Sequence, residues 1–466
     1  MTRRVVVVGD VMLDREVDGT VERFCPDAPA PVLDVSMVRQ GPGGAGLATR
    51  LCAAPDVEVT WIGPLAADDD GAAIQRELAA AGITTIALGH EGATRRKTRV
   101  RSGGHVLVRL DEGGPGRPTG PVPRAALEAI AAADVVLASC YGAGTTAQPE
   151  LRRALERRAE HRPVVWDPHP RGGPPVPGCL LVSPNLSEAR TAAGRPDDPG
   201  DLVAPAVRDL WAAQHAAVTG GAHGAWLAVG DDVIYTPVES VGDGDPCGAG
   251  DRFAAAATTA IARGATVPEA ITLAVARASE WVASGGAWEF RRSAHTGPAP
   301  ERDGTTPGPH GPSDTEAQRH TAKEVVERVR GRGGTVVATG GCFDVLHAGH
   351  LQSLQAARRL GDALVVLLNS DASVRRLKGA GRPVQTAEDR ARLLLGLECV
   401  DAVAVFDEDD PSTVLGELRP DVWAKGGDYA GVPLTESELV RGWGGRVVLL
   451  PYLEGRSTTA LLSDAG

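Results

Sequence analysis

The stretch around residue 300 constrains the fold most, because it has no side chains from which to build a core. Between Arg291 and His320 there is no Val, Ile, Leu, Met, Phe, Tyr or Trp, and the segment GPAPERDGTTPGPHGP holds nine Gly or Pro in sixteen positions. Such a segment cannot bury enough apolar surface to offset the entropy of ordering it. The sequence therefore predicts a linker over 291–322 between two domains, at 1–290 and 323–466.

Apolar runs of strand length alternate with helical stretches on both sides of this linker. In the first domain RRVVVVGD, VEVTWIG, VVLAS and PVVWD alternate with stretches such as QRELAAAG and PELRRALERRAEH. The second domain repeats the pattern with GGTVVATGG, ALVVLLNSD, VDAVAVF and GRVVLLP. This alternation predicts two α/β domains with mostly parallel sheets. Ligands bind beyond the carboxyl ends of such strands, where both domains place their glycine clusters.

Composition excludes several classes of function. A net charge of −12 argues against a nucleic-acid partner, which requires a basic surface. The seven cysteines are scattered and never form CxxC, which argues against a disulfide framework and a zinc site. No apolar run approaches the ~18 residues of a membrane span, and the N-terminal valines are too few for a signal peptide. We expect a cytoplasmic protein with no membrane partner.

The segment DGDPCGAGDRF predicts an anion site in the first domain. Gly248, Ala249 and Gly250 have almost no side chain and precede an Ala-rich helix, so backbone N–H groups and the positive helix end can converge on a phosphate. Asp251 would repel that phosphate unless it takes the proton from an attacking hydroxyl. The alternative is that Asp251 only caps the helix.

This segment and four others, in the same order, resemble the ribokinase-like sugar kinases of the PfkB family. The others are GDVMLD, GPGGAG at 41–46, SPNLSEA at 183–189 and VTGGAHGAWL at 218–227. The resemblance implies a ribokinase-like α/β fold, ATP as a substrate, and Asp251 as the catalytic base.

The same resemblance implies further site residues. Asp14 would bind sugar hydroxyls, while Asn185 and Glu188 would belong to the Mg²⁺ and phosphate network, with Glu188 the candidate metal ligand. An oxygen-rich pair of this kind suits a hard cation that keeps its waters. The alternatives are a turn residue for Asp14 and a helix-capping pair for Asn185 and Glu188. The remaining residues implied to line the sugar and ATP sides are Gly43, Gly44, Thr219, Gly220 and Gly224.

Longer matches point to one branch of that family. GDVMLDREVDGTVERFCPDAPAPVLDV, VVWDPHPRG and LLVSPNLSEA are similar to the bacterial heptose-7-phosphate kinases. A substrate that already carries a phosphate needs cationic partners, and TRRKTRVRSGGHVLVRLD supplies six basic residues within fifteen positions. We predict that Lys97, Arg99 and Arg109 bind the sugar phosphate; the alternative is a solvated strand face.

Three positions depart from the family pattern. Leu47 stands where Asn is usual, Cys247 replaces a common Thr, and His169 replaces a Lys. These departures leave a second hypothesis open, in which the first domain binds sugar phosphate without catalysis, as a sensor or scaffold.

The second domain contains GGCFDVLHAGHL, which sets His347 and His350 at a strand-to-helix turn. A shared metal ion is one interpretation, but no third Cys or His ligand lies nearby in sequence. A buried core pair is another, but it would leave Gly349 unexplained. In the third, Gly349 admits a phosphate to the backbone and the imidazoles donate to its oxygens. We favour this phosphate-binding interpretation, which predicts a nucleotidyltransferase in which a sugar phosphate attacks a nucleoside triphosphate.

The same stretch resembles the HxGH signature of the cytidylyltransferase-like superfamily. NSDASVRRLKGAGRPV, RPDVWAKGGDY and EGRSTTALL are similar to the heptose-1-phosphate adenylyltransferases over nearly the whole domain. The resemblance implies a Rossmann-like nucleotidyltransferase fold, with His347 and His350 stabilising the triphosphate and Lys378 and Arg382 neutralising phosphate charge. The other residues implied to line the cleft are Gly341, Phe343, Asp344, Gly349, Asn369, Asp371, Lys425, Gly426, Asp428, Ser457 and Thr458, with Asp344 and Asp371 as candidate Mg²⁺ or ribose contacts.

Together the two resemblances imply a bifunctional enzyme of ADP-heptose synthesis. One domain would phosphorylate D-glycero-D-manno-heptose 7-phosphate at O1 with ATP and Mg²⁺. A separate phosphatase would remove the 7-phosphate, and the other domain would convert heptose 1-phosphate and ATP to ADP-heptose and pyrophosphate. Cytidylyl or guanylyl transfer by the same fold is the alternative. We also expect a homodimer or a higher homo-oligomer.

Overall fold

A computed structural model describes residues 2–114, 117–238, 244–293, 321–426 and 435–451. The chain forms two compact units, Met1–Gly230 with Val238–Glu301 and Asp231–Pro237 with Arg302–Gly466. Most of the predicted linker, 294–320, lies outside the described residues, so its conformation stays a prediction. In the described part of the chain no helix has both the length and the apolarity to cross a membrane.

The first unit is built on a mainly parallel sheet with β1 near its centre. The strands of this unit are β1 (Arg3–Gly9), β2 (Val11–Phe24), β3 (Pro31–Gly44), β4 (Val57–Pro64), β5 (Thr84–Glu91), β6 (Arg96–Ser102), β7 (His105–Glu112), β8 (Arg117–Thr119), β9 (Val135–Ser139), β10 (Val164–Asp167), β11 (Leu181–Val182), β12 (His215–Thr219) and β13 (Ala225–Val229). The main sheet has the order β13-β12-β11-β10-β9-β1-β4-β5-β8, with only β8 and β13 antiparallel to their neighbours. Strand order reverses at β1, so the ends of β1 and β9 form a crevice of the kind that binds ligands in such sheets.

The helices of the first unit cover this sheet. They are α1 (Ala45–Cys52), α2 (Asp69–Ala80), α3 (Arg124–Ala132), α4 (Pro149–Ala159), α5 (Leu186–Ala193), α6 (Gly200–Leu210), α7 (Ala249–Ala262), α8 (Val267–Ala283) and α9 (Gly286–Ser293). The Ala-rich α7 is almost entirely buried and packs against α1, α8 and β9, because alanine lets helices and strands approach closely. Trp61 in β4 and Trp166 in β10 are fully buried.

A second, four-stranded sheet, in the order β3-β2-β6-β7, is the part of the fold that the sequence did not predict. Its residues are partly exposed, and β7 is exposed along its whole length, so the strict apolar alternation typical of a half-buried strand is missing. In its register Asp14 of β2 lies opposite Lys97 of β6, and Arg99 lies opposite Arg109 of β7. The sheet therefore places the acidic start of β2 beside the basic run.

The second unit is a doubly wound parallel sheet. Its elements are β14 (Asp232–Thr236), α10 (Ala322–Gly331), β15 (Val336–Gly341), α11 (Ala348–Arg358), β16 (Ala363–Asn369), α12 (Asp371–Lys378), α13 (Ala387–Leu395), β17 (Ala402–Phe406), α14 (Ser412–Leu418), β18 (Val422–Gly426), α15 (Thr435–Gly442) and β19 (Arg446–Leu450). The strand order is β17-β16-β15-β18-β19-β14, and order reverses between β15 and β18. The predicted α/β class of both halves is confirmed.

Candidate active sites

The start of α7, where the sequence predicts an anion site, is a tight turn of small residues. Gly248 is the N-cap and has φ of 79°, a left-handed conformation that favours glycine. A Cβ atom at Gly248 would lie only 2.9 Å from Cδ2 of Leu47, so Leu47 packs directly against this turn. The Trp281 indole donates a hydrogen bond to the Cys247 carbonyl at 2.8 Å. The loop is therefore held rigidly, with the first N–H groups of α7 at its tip.

Asp251 lies in the first turn of α7 and is 7% exposed. The Tyr141 hydroxyl donates a hydrogen bond to its Oδ1 atom at 2.5 Å. Burial raises the pKa of Asp251 to about 7; the negative charge of Asp14 adds to this, whereas the Tyr141 hydrogen bond and the cations Lys97 and Arg291 oppose it. A carboxylate with a pKa near neutrality can both accept and release a proton at working pH.

Asp10 shapes the loop that presents Tyr141, and sequence reasoning missed both residues. The Asp10 carboxylate follows β1 and accepts hydrogen bonds from the backbone N–H groups of Tyr141 at 3.1 Å, Ala143 at 2.9 Å and Thr145 at 3.2 Å, and from the Thr145 hydroxyl. The sequence did contain a signal for Asp10, because an aspartate directly after a buried strand of valines needs hydrogen-bond partners at the strand end. Asp10 therefore joins the end of β1 to the loop that follows β9, and the two strand ends line one crevice.

Asp14 lies in the same crevice, paired with an arginine that the sequence analysis also missed. Arg291 of α9 is 2% exposed and donates to Asp14 at 2.9 Å and to Glu16 at 3.1 Å. A Cβ atom at Gly43 would lie 2.5 Å from the Asp14 carboxyl, so only glycine fits there. Gly44 follows with φ of 59°. Asp14 is a buried, oriented carboxylate and not the turn residue of the alternative interpretation.

The basic residues between Arg95 and Arg109 differ in their exposure and in their ion-pair partners. Arg109 is more than half exposed and bonds to Asp111 at 3.0 Å, whereas Arg99 lies 3.9 Å from Asp14. Lys97 is half-buried, and burial, with the positive charge of Arg95, lowers its pKa. The structure thus brings Lys97 and Arg99 close to the crevice and places Arg109 toward solvent.

Asn185 and Glu188 form a helix-capping box on α5, which is the arrangement that the alternative interpretation described. The Asn185 side chain accepts from the Glu188 N–H at 2.9 Å, and the Glu188 carboxylate accepts from the Asn185 N–H at 3.0 Å. Burial raises the pKa of Glu188. The pKa of Asp167, at the end of β10, is raised well above its usual value by burial and by the charges of Asp251 and Glu188. The carboxyl groups of Asp167, Glu188 and Asp251 therefore lie near one another at the start of α7.

The predicted ATP-side residues adjoin this cluster. Thr219 forms an isolated bridge with Asn185, and its N–H donates to the Pro184 carbonyl at 3.0 Å. The Gly220 N–H donates to the Gly224 carbonyl at 2.7 Å, closing a tight turn in which Gly224 has φ of 89°. The end of β12 and the start of α5 thus form one continuous edge.

In the second unit, His347 and His350 lie together at the start of α11. Their rings are stacked with centroids 3.9 Å apart, and the Phe343 ring is 5.2 Å from that of His350. Phe343 adopts φ of 44°, which turns the chain sharply between Gly341 at the end of β15 and the helix. Burial, with the charges of His347 and of the exposed Lys378, lowers the pKa of His350 to about 4, so this imidazole is neutral at pH 7.

Asp344 and Arg382, both predicted to contact ligand, bind each other. Asp344 is 2% exposed and accepts from Arg382 at 2.6 Å and from the backbone N–H groups of Val384 at 2.6 Å and Gln385 at 3.2 Å. This carboxylate holds the loop that follows α12, and it orients the Arg382 guanidinium through Nη1.

Arg390 ties the predicted residues of this cleft together, although nothing in its sequence context marked it. It is fully buried and donates to the Cys342 carbonyl at 2.5 Å, to Asp371 at 2.8 Å and to the Gln385 carbonyl at 3.1 Å. Asn369 is buried nearby and donates to Ser373 at 3.0 Å. Asp371 is therefore engaged by the protein itself.

The end of β18 supplies the other wall of this crevice. Lys425 pairs with Glu436 at 2.7 Å, and Gly426 ends the strand. Gly349 lies in the first turn of α11. Three predicted residues, Asp428, Ser457 and Thr458, lie outside the described residues.

Comparisons with known proteins match two different family models to two parts of the chain. Residues 2–292 match the model of the pfkB family of carbohydrate kinases, and residues 338–444 match the cytidylyltransferase-like model. Arabidopsis thaliana ribokinase complexed with ribose and ATP has a TM-score of 0.50 and 21% identity, over 63% of this chain and 97% of that one. Escherichia coli phosphofructokinase-2 in complex with fructose-6-phosphate also has a TM-score of 0.50, with 17% identity, over 63% of this chain and 98% of that one. These two structures show the fold of the first unit.

Relatives of full length show the family. The Bifunctional protein HldE of Streptomyces coelicolor is 50% identical over 99% of this chain and 96% of its own length. The Bifunctional protein HldE of Caulobacter vibrioides is 37% identical, with the same two coverages. The chain therefore belongs to the family of bifunctional HldE proteins, in which a pfkB-type carbohydrate kinase precedes a cytidylyltransferase-like domain.

Proposed function

We propose that the chain carries out two steps of ADP-heptose synthesis at two separate sites. The first unit phosphorylates D-glycero-D-manno-heptose 7-phosphate at O1 with ATP. The second transfers an adenylyl group from ATP to heptose 1-phosphate and releases pyrophosphate. The observation that carries the proposal is that each sheet ends in a crevice with the reactive groups of one chemistry: Asp251 at the start of α7, and His347 with His350 at the start of α11.

In the kinase step, Asp251 takes the proton from the O1 hydroxyl as that oxygen attacks the γ-phosphorus of ATP. The hydroxyl oxygen forms the new P–O bond, and the bond to the ADP oxygen breaks. Charge on the transferred phosphoryl group is met by the N–H groups at the start of α7 and by the positive end of that helix. Asp14, fixed by Arg291, accepts hydrogen bonds from the sugar.

The donor set near α7 fits Mg²⁺. Among the described residues no three His, Cys, Asp or Glu side chains form a complete metal cage. Mg²⁺ is usually bound by one or two carboxylates together with substrate phosphates and water, and Glu188 and Asp167 are such carboxylates. When bound, the ion neutralises charge on the ATP phosphates. Asn185 keeps the Glu188 carboxylate in place through the capping box.

In the adenylyl step, an oxygen of the sugar 1-phosphate attacks the α-phosphorus of ATP and pyrophosphate leaves. The neutral His350 imidazole donates a hydrogen bond to a phosphate oxygen. His347, whose ring is stacked on that of His350, also binds the triphosphate. Lys378 and Arg382 bring positive charge to the leaving pyrophosphate. Lys425 lies at the side of the cleft that binds the sugar phosphate. Catalysis here rests on position and charge, because the protein forms no covalent bond.

Several finer points belong to the same proposal. A separate phosphatase removes the 7-phosphate between the two steps, the protein works in the cytoplasm, and it assembles as a homo-oligomer. Transfer of a different nucleotide is the second candidate; pyrophosphate release measured with ATP, CTP and GTP in turn separates the two. The sensor hypothesis for the first unit loses its basis in Leu47, because that side chain supports the glycine turn of the anion site.

The test uses the full chain with heptose 7-phosphate, ATP and Mg²⁺, with and without a phosphatase, and identifies products by mass and NMR. We expect the 1,7-bisphosphate without the phosphatase and ADP-heptose with it. Asp251→Asn keeps the shape of the side chain and should abolish kinase turnover while sparing adenylyl transfer; His350→Ala should do the reverse. Loss of both activities from either single change would contradict two independent sites.

A further inference from the structure

Two carboxylates on β2, Asp14 and Glu16, share the guanidinium of Arg291. We propose that Glu16 is a positioning residue of the kinase site: by binding one half of that guanidinium, it keeps one oxygen of Asp14 available to a hydroxyl of the sugar. Glu16 acts through Arg291 and not by contact with the substrate. This inference rests on the proposed kinase function and adds a residue on which sugar binding at that site depends.

The Arg291 guanidinium divides its donors between the two carboxylates. Its Nη2 atom donates to Oδ2 of Asp14 at 2.9 Å, and its Nη1 atom donates to Oε1 of Glu16 at 3.1 Å. Glu16 is 1% exposed, and the other two side chains are likewise buried. Because β2 is extended, Asp14 and Glu16, two positions apart, lie on the same face of the strand. One planar guanidinium can therefore reach both carboxylates.

Arg263 shows how an arginine of this unit binds one carboxylate. Its Nε and Nη2 atoms donate to the two oxygens of Asp56, at 2.8 and 2.7 Å, so neither oxygen is left over. This two-pronged geometry is the favoured one for an arginine and a carboxylate. In the absence of the Glu16 charge, we therefore expect Arg291 to bind both oxygens of Asp14.

The divided arrangement leaves buried polar atoms without hydrogen bonds in one place. In the part of the chain that the structure describes, these atoms include Oδ1 of Asp14 and Oε2 of Glu16. The flanking cations are too distant for hydrogen bonds, because Arg99 lies 3.9 Å from Oδ1 of Asp14 and Arg101 lies 4.0 Å from Oε2 of Glu16. A buried acceptor without a partner costs free energy, and native proteins rarely retain one. A sugar hydroxyl, which is a donor, would satisfy Oδ1 of Asp14.

The helix that carries Arg291 is anchored at two further points. The guanidinium carbon of Arg39 lies 4.4 Å from the ring centroid of Trp288, a favourable cation–π distance. The ring centroids of Phe290 and Trp281 are 5.2 Å apart. These contacts hold α9 in place, so a change in the carboxylate partners of Arg291 rotates the guanidinium without displacing the helix.

The charges around the two carboxylates are balanced. Ion pairs of 4.0 Å or less connect three arginines and three carboxylates: Arg99, Arg101, Arg291, Asp14, Glu16 and Asp245. Removal of the Glu16 charge leaves the arginines in excess, and Asp14 is the carboxylate that Arg291 already binds. The charge of Asp14 contributes to the raised pKa of Asp251. The rearrangement would therefore take place beside the catalytic base.

The experiment measures the steady-state kinetics of the kinase in the full chain of Glu16→Gln, which keeps the size of the side chain and removes its charge. We expect KM for heptose 7-phosphate to rise about tenfold, because the loss of a hydrogen bond to a charged group costs about this much. KM for ATP should stay within about twofold of wild type. Glu16→Asp keeps the charge on a shorter side chain and should show a smaller rise; it also carries the test if Glu16→Gln does not fold.

Glu112→Gln is the matched control. It removes the charge of a carboxylate in β7 of the same sheet that binds Arg96 at 2.9 Å, and it leaves the partners of Asp14 untouched. Both KM values of this control should stay within about twofold of wild type. The control therefore separates the effect of Glu16 from a general effect of losing an ion pair in this sheet.

A crystal structure of Glu16→Gln without substrate tests the geometry directly. Arg291 should donate to both oxygens of Asp14 in the variant and to one in the wild type. An Arg291 that still binds one oxygen of Asp14, an unchanged KM for the sugar, or an equal rise of KM for sugar and ATP would each overturn the proposal. If the wild-type chain does not phosphorylate heptose 7-phosphate, the proposed function fails, and the crystal structure still decides whether Glu16 controls Asp14.

Discussion

Removing one hydroxyl group, in the variant Tyr141→Phe, should shift the pH dependence of the kinase. The Tyr141 hydroxyl donates to Asp251 at 2.5 Å, and this hydrogen bond favours the ionised carboxylate against the effect of burial. The charged groups around Asp251 are otherwise unchanged by the variant: Asp14, Asp167, Lys97 and Arg291.

The size and sign of the shift follow from this geometry. A hydrogen bond to a charged group is worth about 1.5–3 kcal/mol, and one pKa unit corresponds to about 1.4 kcal/mol, so the loss should raise the pKa of Asp251 by about one to two units. Only the ionised carboxylate accepts the proton, so activity requires a pH above that pKa. Starting from a pKa of about 7, kcat/KM at pH 7 should fall roughly 5- to 50-fold and recover toward wild type above about pH 9.5.

The assay is kcat/KM for phosphorylation of heptose 7-phosphate between about pH 6 and 10.5, which reports the pKa of the free enzyme. Titration of the substrate phosphate is common to both proteins and cancels in the comparison. Tyr235→Phe, which removes the hydroxyl of a buried tyrosine in the second unit, is the control and should leave the profile unchanged. An acid limb that coincides with wild type, or an equal loss at every pH, would refute the reasoning.

Three further predictions concern buried charges and the second site. Arg291→Met leaves two buried carboxylates without their shared partner and should destabilise the first unit by about 3–5 kcal/mol in urea unfolding, with Arg291→Lys retaining part of this; an unchanged midpoint would contradict it. His350→Gln keeps a neutral N–H donor, so it should retain more adenylyl transfer than His350→Ala, and wild-type transfer should not fall as pH rises from 6 to 8. Asp344→Asn should speed hydrogen exchange at Val384 and Gln385 and reduce adenylyl transfer while leaving kinase turnover intact; unchanged exchange would show that the loop does not depend on this carboxylate.

Much of the architecture follows from local patterns. Buried runs such as VVVVG and ALVVLLN have the length and composition of central parallel strands, and they became β1 and β16 with every valine and leucine inside. The four-stranded sheet was missed because its strands mix polar and apolar residues and are exposed on much of their surface. Periodicity detects a strand only where one face is buried.

The candidate sites, like the fold, were predictable from the sequence only in part. Glycines that follow strands, and the residues beside them, are readable in sequence because a backbone that approaches a phosphate needs small residues. The hydrogen-bond and ion-pair partners of the site residues cannot be predicted from local sequence in this way. Asp251 meets Tyr141 from 110 positions away and Asp14 meets Arg291 from 277 positions away. No local pattern encodes which arginine of a basic run will find a carboxylate.

The sequence by itself determined that this chain forms two α/β units, with a small-residue turn before α7 and an HxGH turn before α11. These features depend on neighbouring residues: strand composition, helix starts and glycine conformations. Only the tertiary structure decided that burial raises the pKa of Asp251 while the Tyr141 hydroxyl opposes this rise, that Asp344 holds Arg382, and that Arg291 joins Asp14 to Glu16. These depend on burial and on contacts between distant segments, which exist only once the strands are ordered in the sheets.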